Sequence, residues 1–303
     1  RGWVTGAVQP KLNQGNMNQI EIPFPDEGVR RAIVSVLGSL DDKIEVNRKQ
    51  ARALEGIARA VFNSWFVDFD PVRRKAAGEP TGLPDEIAAL FPDRLVDSTM
   101  RETPEIPNGW TASRLIDHFD LTMGQSPPGS TYNETSDGLP FYQGRTDFGF
   151  RFPTPRVYCS APTRFADPGD TLVSVRAPVG DVNMAIERCA VGRGVAAVRH
   201  KSGSRSLTYY AMLELRAHFL RFESNGTVFG AIGKADFERL PFVAPPSPAV
   251  AAFEQFADPI DQRIEVCELQ SATLAALRDT LLPKLIAGDL RIADAERIVG
   301  RAV

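Results

Sequence analysis

Nine positions between Leu37 and Trp65 constrain this chain more than any other feature. Leu37, Leu40, Ile44, Asn47, Ala51, Leu54, Ala58, Val61 and Trp65 alternate in steps of three and four. That is the heptad spacing that keeps one stripe of a helix facing a partner helix. No proline interrupts the run, and Gly38 and Gly56 are the only weak helix formers inside it. At 1.5 Å rise per residue the predicted helix is roughly 45 Å long, more than one small core can cover. It needs a second long helix.

The chain supplies one 220 positions later. Leu40-Asp41-Asp42-Lys43-Ile44-Glu45-Val46 reappears as Ile260-Asp261-Gln262-Arg263-Ile264-Glu265-Val266, and the register continues without a gap, with Leu54 matching Leu274 and Val61 matching Leu281. It also extends upstream, where Pro25 matches Pro245, Val8 matches Val228 and Gly6 matches Gly226. Self-similarity at a fixed offset signals a duplicated structural unit. Generic heptads would not carry the match into these lead-ins. The seam of the helix pair is therefore expected at Leu40, Ile44, Asn47, Leu54 and Val61 on one side. Ile260, Ile264, Cys267, Leu274 and Leu281 are expected on the other. Asn47 and its counterpart Cys267 are predicted to lie near each other, with Asn47 fixing register as polar seam residues do.

With 303 residues, 43% of them hydrophobic, two domains are the default expectation. No apolar run approaches the roughly 18 residues a membrane span needs, and the N-terminus carries no secretory pattern. Cys159, Cys189 and Cys267 form neither a disulfide framework nor a zinc spacing, so a reducing cytoplasm is expected. The net charge of −3 argues against a uniformly basic nucleic-acid binder, although local patches set the footprint.

Taken in order, residues 1–24 read as the tail of a preceding domain. No Met precedes Arg1, so the sequence is expected to begin inside a larger polypeptide or to come from a truncated gene. The first long helix is expected within 25–67, starting near Glu27 after the extended Pro23-Phe24-Pro25. Val67-Asp68-Phe69-Asp70-Pro71 stops it, and 68–104, rich in Pro, Gly and charge, reads as a connector. Residues 105–245 form an α+β globular domain, with strands expected at Thr171–Val175, Asp181–Ile186 and Val195–Val198 and a helix at Leu207–Arg221. The second long helix lies within 246–290, expected to kink or end at Pro283, and 291–303 is a tail. The fold class is thus α+β: a globular mixed domain plus two long antiparallel coiled-coil helices in a pseudo-twofold repeat.

No catalytic centre emerges. The Gly-rich stretch Gly226–Lys234 fails as a phosphate loop, because its first Gly would fall at Val228 and Ala235 stands where Ser or Thr is required. Lys234 after such a loop could meet a nucleic-acid phosphate or simply be solvated. His118, His200 and His218 lack metal-ligand spacing, and no metal site is expected. Asp68 and Asp70 flank a helix stop, where Asp is ordinary turn chemistry. More informative is the polar, proline-stiffened loop Met123–Asn133, with Gln125, Ser126, Ser130, Tyr132 and Asn133. Gln143, Arg145 and Arg176 follow on later loops. Arg reads guanine edges and Gln or Asn reads adenine edges, so these residues are the candidates for DNA contact. From Glu105 to Val243 there are 15 Lys and Arg against 14 Asp and Glu, so DNA binding requires basic charge to be segregated to one face.

Several of these stretches together resemble the DNA-specificity subunits of type I restriction–modification systems. The resemblance rests on Leu40–Asn47, on Trp65-Phe66-Val67-Asp68-Phe69-Asp70-Pro71-Val72 and on Ile106-Pro107-Asn108-Gly109-Trp110. It continues through Gly124–Gly129, Pro140–Gly144 and Arg278–Ile286, covering nearly the whole chain in the family's order. The resemblance implies a non-catalytic subunit whose target-recognition domain, here 105–245, reads one half of a split site on double-stranded DNA. Residues 1–24 would be the remnant of a first such domain. The two helices would act as a spacer and dock two methylation subunits. S-adenosylmethionine and ATP would be bound by partners, the latter by a restriction and translocase subunit, with no cofactor in this chain. A naturally truncated chain would pair with a second copy to restore two recognition domains. The competing reading is a coiled-coil protein–protein adaptor without DNA contact, marked by an acidic or apolar face on 105–245.

Overall fold

The computed structural model describes residues 13–20, 25–223 and 230–303. The remnant expected at 1–24 and the loop preceding Lys234 therefore fall largely outside the described residues. The chain divides into two compact units, residues 1–49 with 269–303 and residues 50–268. Two long helices dominate, Glu27–Phe66 with 40 residues and Ser247–Ala287 with 41. Their starts lie 220 positions apart and their ends 221, so the repeat read from sequence reappears in the helix boundaries.

In the first unit the helix segments pack through Ile33, Val36, Leu37, Leu40 and Ile44 against Leu274, Leu281 and Leu285. Asp26 caps the first helix, its Oδ1 accepting from the Val29 amide at 2.9 Å. The segments run antiparallel: Arg278 Nη1 bonds Asp41 Oδ1 at 2.6 Å, and Asn47 Nδ2 donates to Gln270 Oε1 at 3.0 Å. Asn47 is only 2% exposed, so its amide must find a partner inside the seam. Gln270 provides it.

Of the kink or end expected at Pro283, the end does not occur at that position. Pro283 removes one backbone donor near the end of the helix, and the helix continues to Ala287. The stop is Gly288, whose φ of 77° suits a left-handed residue, with Asp289 N bonding back to Lys284 O at 2.9 Å. The segment expected as a tail also differs. Ile292–Val299 is a helix, and Ala295 and Val299 on one of its faces are buried in the same cluster.

In the second unit the long helices again run antiparallel, with Ala51 and Leu54 against Ile264, Cys267 and Ile260. Cys267 Sγ lies 3.5 Å from Gln50 Oε1. Toward Phe66 the stripe widens. Val61 is only partly buried, while Ala58, Phe62, Trp65 and Phe66 enter the main core. There Phe62, Trp65 and Phe66 meet Phe253 at ring separations of 5.6, 6.2 and 5.4 Å, all edge-on, the geometry that aromatic quadrupoles favour. Phe69, in a left-handed conformation, breaks the helix, and Asp70 accepts from Ser64 Oγ at 2.7 Å. The connector is part of this core: Phe69, Val72 and Phe91 are buried in it, and Leu95–Asp97 pairs antiparallel with Glu105–Pro107.

The globular part carries a four-stranded antiparallel sheet in the order Val182–Met184, Thr171–Ser174, Val195–His200, Phe119–Met123. A five-stranded mixed sheet follows the order Tyr132–Asn133, Tyr158–Cys159, Leu139–Tyr142, Cys189–Val191, Phe165–Ala166, with one parallel pair between Leu139–Tyr142 and Cys189–Val191. Thr111–Arg114 pairs with Pro241–Ala244, immediately before the second long helix. The helix expected over Leu207–Arg221 is divided at Leu215 into Arg205–Glu214, Arg216–Phe219 and a short 3-10 turn. The fold class is α+β.

Candidate nucleic-acid interface

Three glycines position the candidate site. A Cβ on Gly124 would lie 2.1 Å from the Gly192 carbonyl oxygen, and one on Gly194 would lie 2.2 Å from that of Gln143. One on Gly192 would stand 3.1 Å from Gln143 Cα. Only glycine permits main chain to approach main chain so closely. Three segments of different sequence origin are thereby joined: the loop at 124–126, the end of the strand at 142–144, and the turn Gly192-Arg193-Gly194. Hydrogen bonds complete the junction, from Gln125 N to Val191 O at 3.0 Å, Gly192 N to Tyr142 O at 2.8 Å and Val195 N to Gly192 O at 2.9 Å. A fourth segment joins through Val175 N, which donates to Gly194 O at 2.9 Å. A fifth bridges Arg176 to Ala231, with Ile232 N bonded to Val175 O at 3.0 Å.

This junction brings together Gln125, Ser126, Gln143 and Arg176 from the sequence candidates. Gln125, Gln143 and Arg176 are exposed. Arg193 stands in their midst and was not among the candidates; its only local sequence signal is a glycine on each side. Its backbone N and its Nε both lie 3.4 Å from Ser126 Oγ. Among the described residues neither Arg176 nor Arg193 forms an ion pair with a carboxylate.

The other candidates are placed differently. Arg145 Nε sits 3.2 Å from Asp181 Oδ2, and Arg216 Nη2 sits 3.3 Å from the other oxygen of the same carboxylate. Two arginines thus share one negative charge. Asn133 spends its amide on its own loop, accepting from Thr135 N at 3.1 Å and Asp137 N at 3.0 Å and donating to Asp137 O. Tyr132 OH donates to Pro127 O at 2.7 Å, and its ring packs on Phe141. Ser130 is exposed in a 3-10 turn. Lys234 opens a five-residue helix and pairs with Glu238 at 3.5 Å. Cys159, Cys189 and Cys267 are buried and form no disulfide.

No protein-family model matches the chain. Whole-chain comparison does find relatives. The chain is 28% identical over 291 residues to a Methanocaldococcus jannaschii protein described as the specificity subunit of the type I restriction enzyme MjaX, covering 94% of this chain and 62% of that protein. It is 32% identical to the HsdS subunit from Thermoanaerobacter tengcongensis, whose crystal structure aligns over 94% of this chain and 65% of that one with a TM-score of 0.46. Over nearly its whole length the chain is similar to proteins described as type I restriction enzyme specificity subunits.

The S subunit of a type I restriction–modification system from M. genitalium shares the fold, with a TM-score of 0.56 at 14% identity over 94% of this chain and 68% of that one. Against the first two relatives, the chain spans less than two thirds of their length. Among the described residues no helix is long and apolar enough to cross a membrane.

Proposed function

We propose that this chain is a non-catalytic, sequence-specific DNA-binding subunit of a type I restriction–modification complex in the cytoplasm. Its 105–245 region reads one half of a bipartite site on double-stranded DNA. Its helix pair holds that region at a set distance from a second reading domain and docks two methylation subunits. S-adenosylmethionine and ATP chemistry belongs to those subunits and to the restriction and translocase subunit.

The observation that carries this reading is the junction itself. Exposed Gln125, Gln143 and Arg176 come from three separate segments onto neighbouring backbone positions held by glycine contacts. Amide and guanidinium side chains on a rigid frame supply the paired donors and acceptors that distinguish base edges. Arg145 and Arg216 around the single Asp181 add basic charge near the same strands, which supplies the phosphate attraction that positions a reader.

Co-expression with a type I methylation subunit, followed by mapping of modified adenines, tests the proposal. A short split motif with a fixed gap is the expected result. A complex that assembles and modifies no defined sequence would overturn it.

A further inference from the structure

We propose that Arg193 is a guanine-reading residue of this chain, presented by the Gly192-Arg193-Gly194 turn. The inference rests on the DNA-reading function proposed above and names one of its contacts.

Four observations lead to it. Arg193 is exposed, and no carboxylate among the described residues pairs with it. Its turn is fixed on both sides, by the Val195 N to Gly192 O bond at 2.9 Å and by the Gly194 O to Val175 N bond at 2.9 Å. Arg193 Nε lies 3.4 Å from Ser126 Oγ, and no hydrogen bond or ion pair among the described residues engages either terminal nitrogen. Gln125, Gln143 and Arg176 occupy the neighbouring backbone positions. A planar fork of donors matches guanine O6 and N7 in the major groove with a rigidity that lysine's single ammonium on a flexible stem lacks. The same fork can engage a phosphate, but a phosphate contact carries no base preference, and base preference is what the test reads.

The test selects bound sequences from a pool of random duplex DNA with the full chain, then measures affinity for the selected duplex with each base pair changed in turn. Arg193→Ala and Arg193→Lys are compared with the unsubstituted chain, and thermal melting confirms that both variants fold. The expected result is a selected guanine at one position. Both variants lose the preference for it, by roughly 5- to 150-fold, with preferences elsewhere unchanged and salt-dependent binding retained by the lysine variant. An unchanged preference at every position in Arg193→Ala overturns the inference. So does a uniform loss across all duplexes that lysine restores. If the unsubstituted chain enriches no sequence, the proposed function fails and this inference falls with it, an outcome separate from the first two.

Discussion

Arg151 Nη1 lies 3.0 Å from Asp261 Oδ1, with the two side chains 1% and 3% exposed. The contact joins the globular part to the second long helix. Glu55 on the first long helix closes the other side, 3.2 Å from Arg151 Nη2. Tyr210 OH bonds both Arg151 and Asp261 at 3.0 Å, and the guanidinium stacks 3.8 Å from the centre of the Tyr209 ring. One buried cation thus ties together two helices and a loop whose own backbone is bonded to Met184.

Removing that cation leaves two carboxylates in a desolvated site. Arg151→Met is expected to cost about 3–5 kcal/mol, read as a fall in the urea midpoint. Burial already raises the pKa of Glu55, against the opposing pull of Arg151, and Asp261, 3% exposed, is the more deeply buried of the two carboxylates left without the cation. The double variant Arg151→Met with Asp261→Asn should therefore recover much of the loss. Equal midpoints for the single and double variants would show that packing, not charge, sets the cost.

The glycine junction makes a second prediction. At Gly194 a methyl group must push against the Gln143 carbonyl, so Gly194→Ala should destabilise by about 1–3 kcal/mol and displace the turn. Gly144 is the control: its φ of 179° is extended, and a Cβ there meets nothing within 4 Å. Gly144→Ala should melt within a degree or two of the unsubstituted chain and bind DNA alike. If the two alanine variants behave the same, close approach is not what holds the site.

A third prediction concerns acid. Burial pulls the His200 pKa from 6.5 down to about 4, with His118 and Lys201 adding to the effect. Its ring faces Phe119 at 4.9 Å and bonds Ser202 Oγ at 2.7 Å. Between those two pKa values the unfolded chain binds the proton and the folded chain does not. Stability from this group therefore falls as pH drops from 6.5 towards 4 and levels off below. Urea midpoints at pH 7 and pH 5 should differ less in His200→Gln than in the unsubstituted chain. An identical pH slope in the variant would remove His200 as the source.

The sequence made some of this architecture legible and hid the rest for physical reasons. The long helices were readable because a heptad repeats its message many times. The C-terminal helix Ile292–Val299 has only two turns and so too few repeats to register. The five-stranded sheet was missed because several of its strands have two or three residues, too short for alternation to show. Arg151 reads in sequence as a surface residue, since nothing local announces two carboxylates arriving from helices about a hundred positions away in either direction. Gln125, Gln143 and Arg176 were recognisable by chemistry. Arg193 needed the backbone contacts of its flanking glycines to be seen as a fixed point and not a loose loop.

Those same glycines have an evolutionary consequence. Main-chain atoms hold the junction together, so the side chains at 125, 143, 176 and 193 bear none of its weight. Each can be exchanged while the scaffold beneath stays intact. A lineage pressed to abandon one target for another can do so one residue at a time, without passing through an unfolded ancestor.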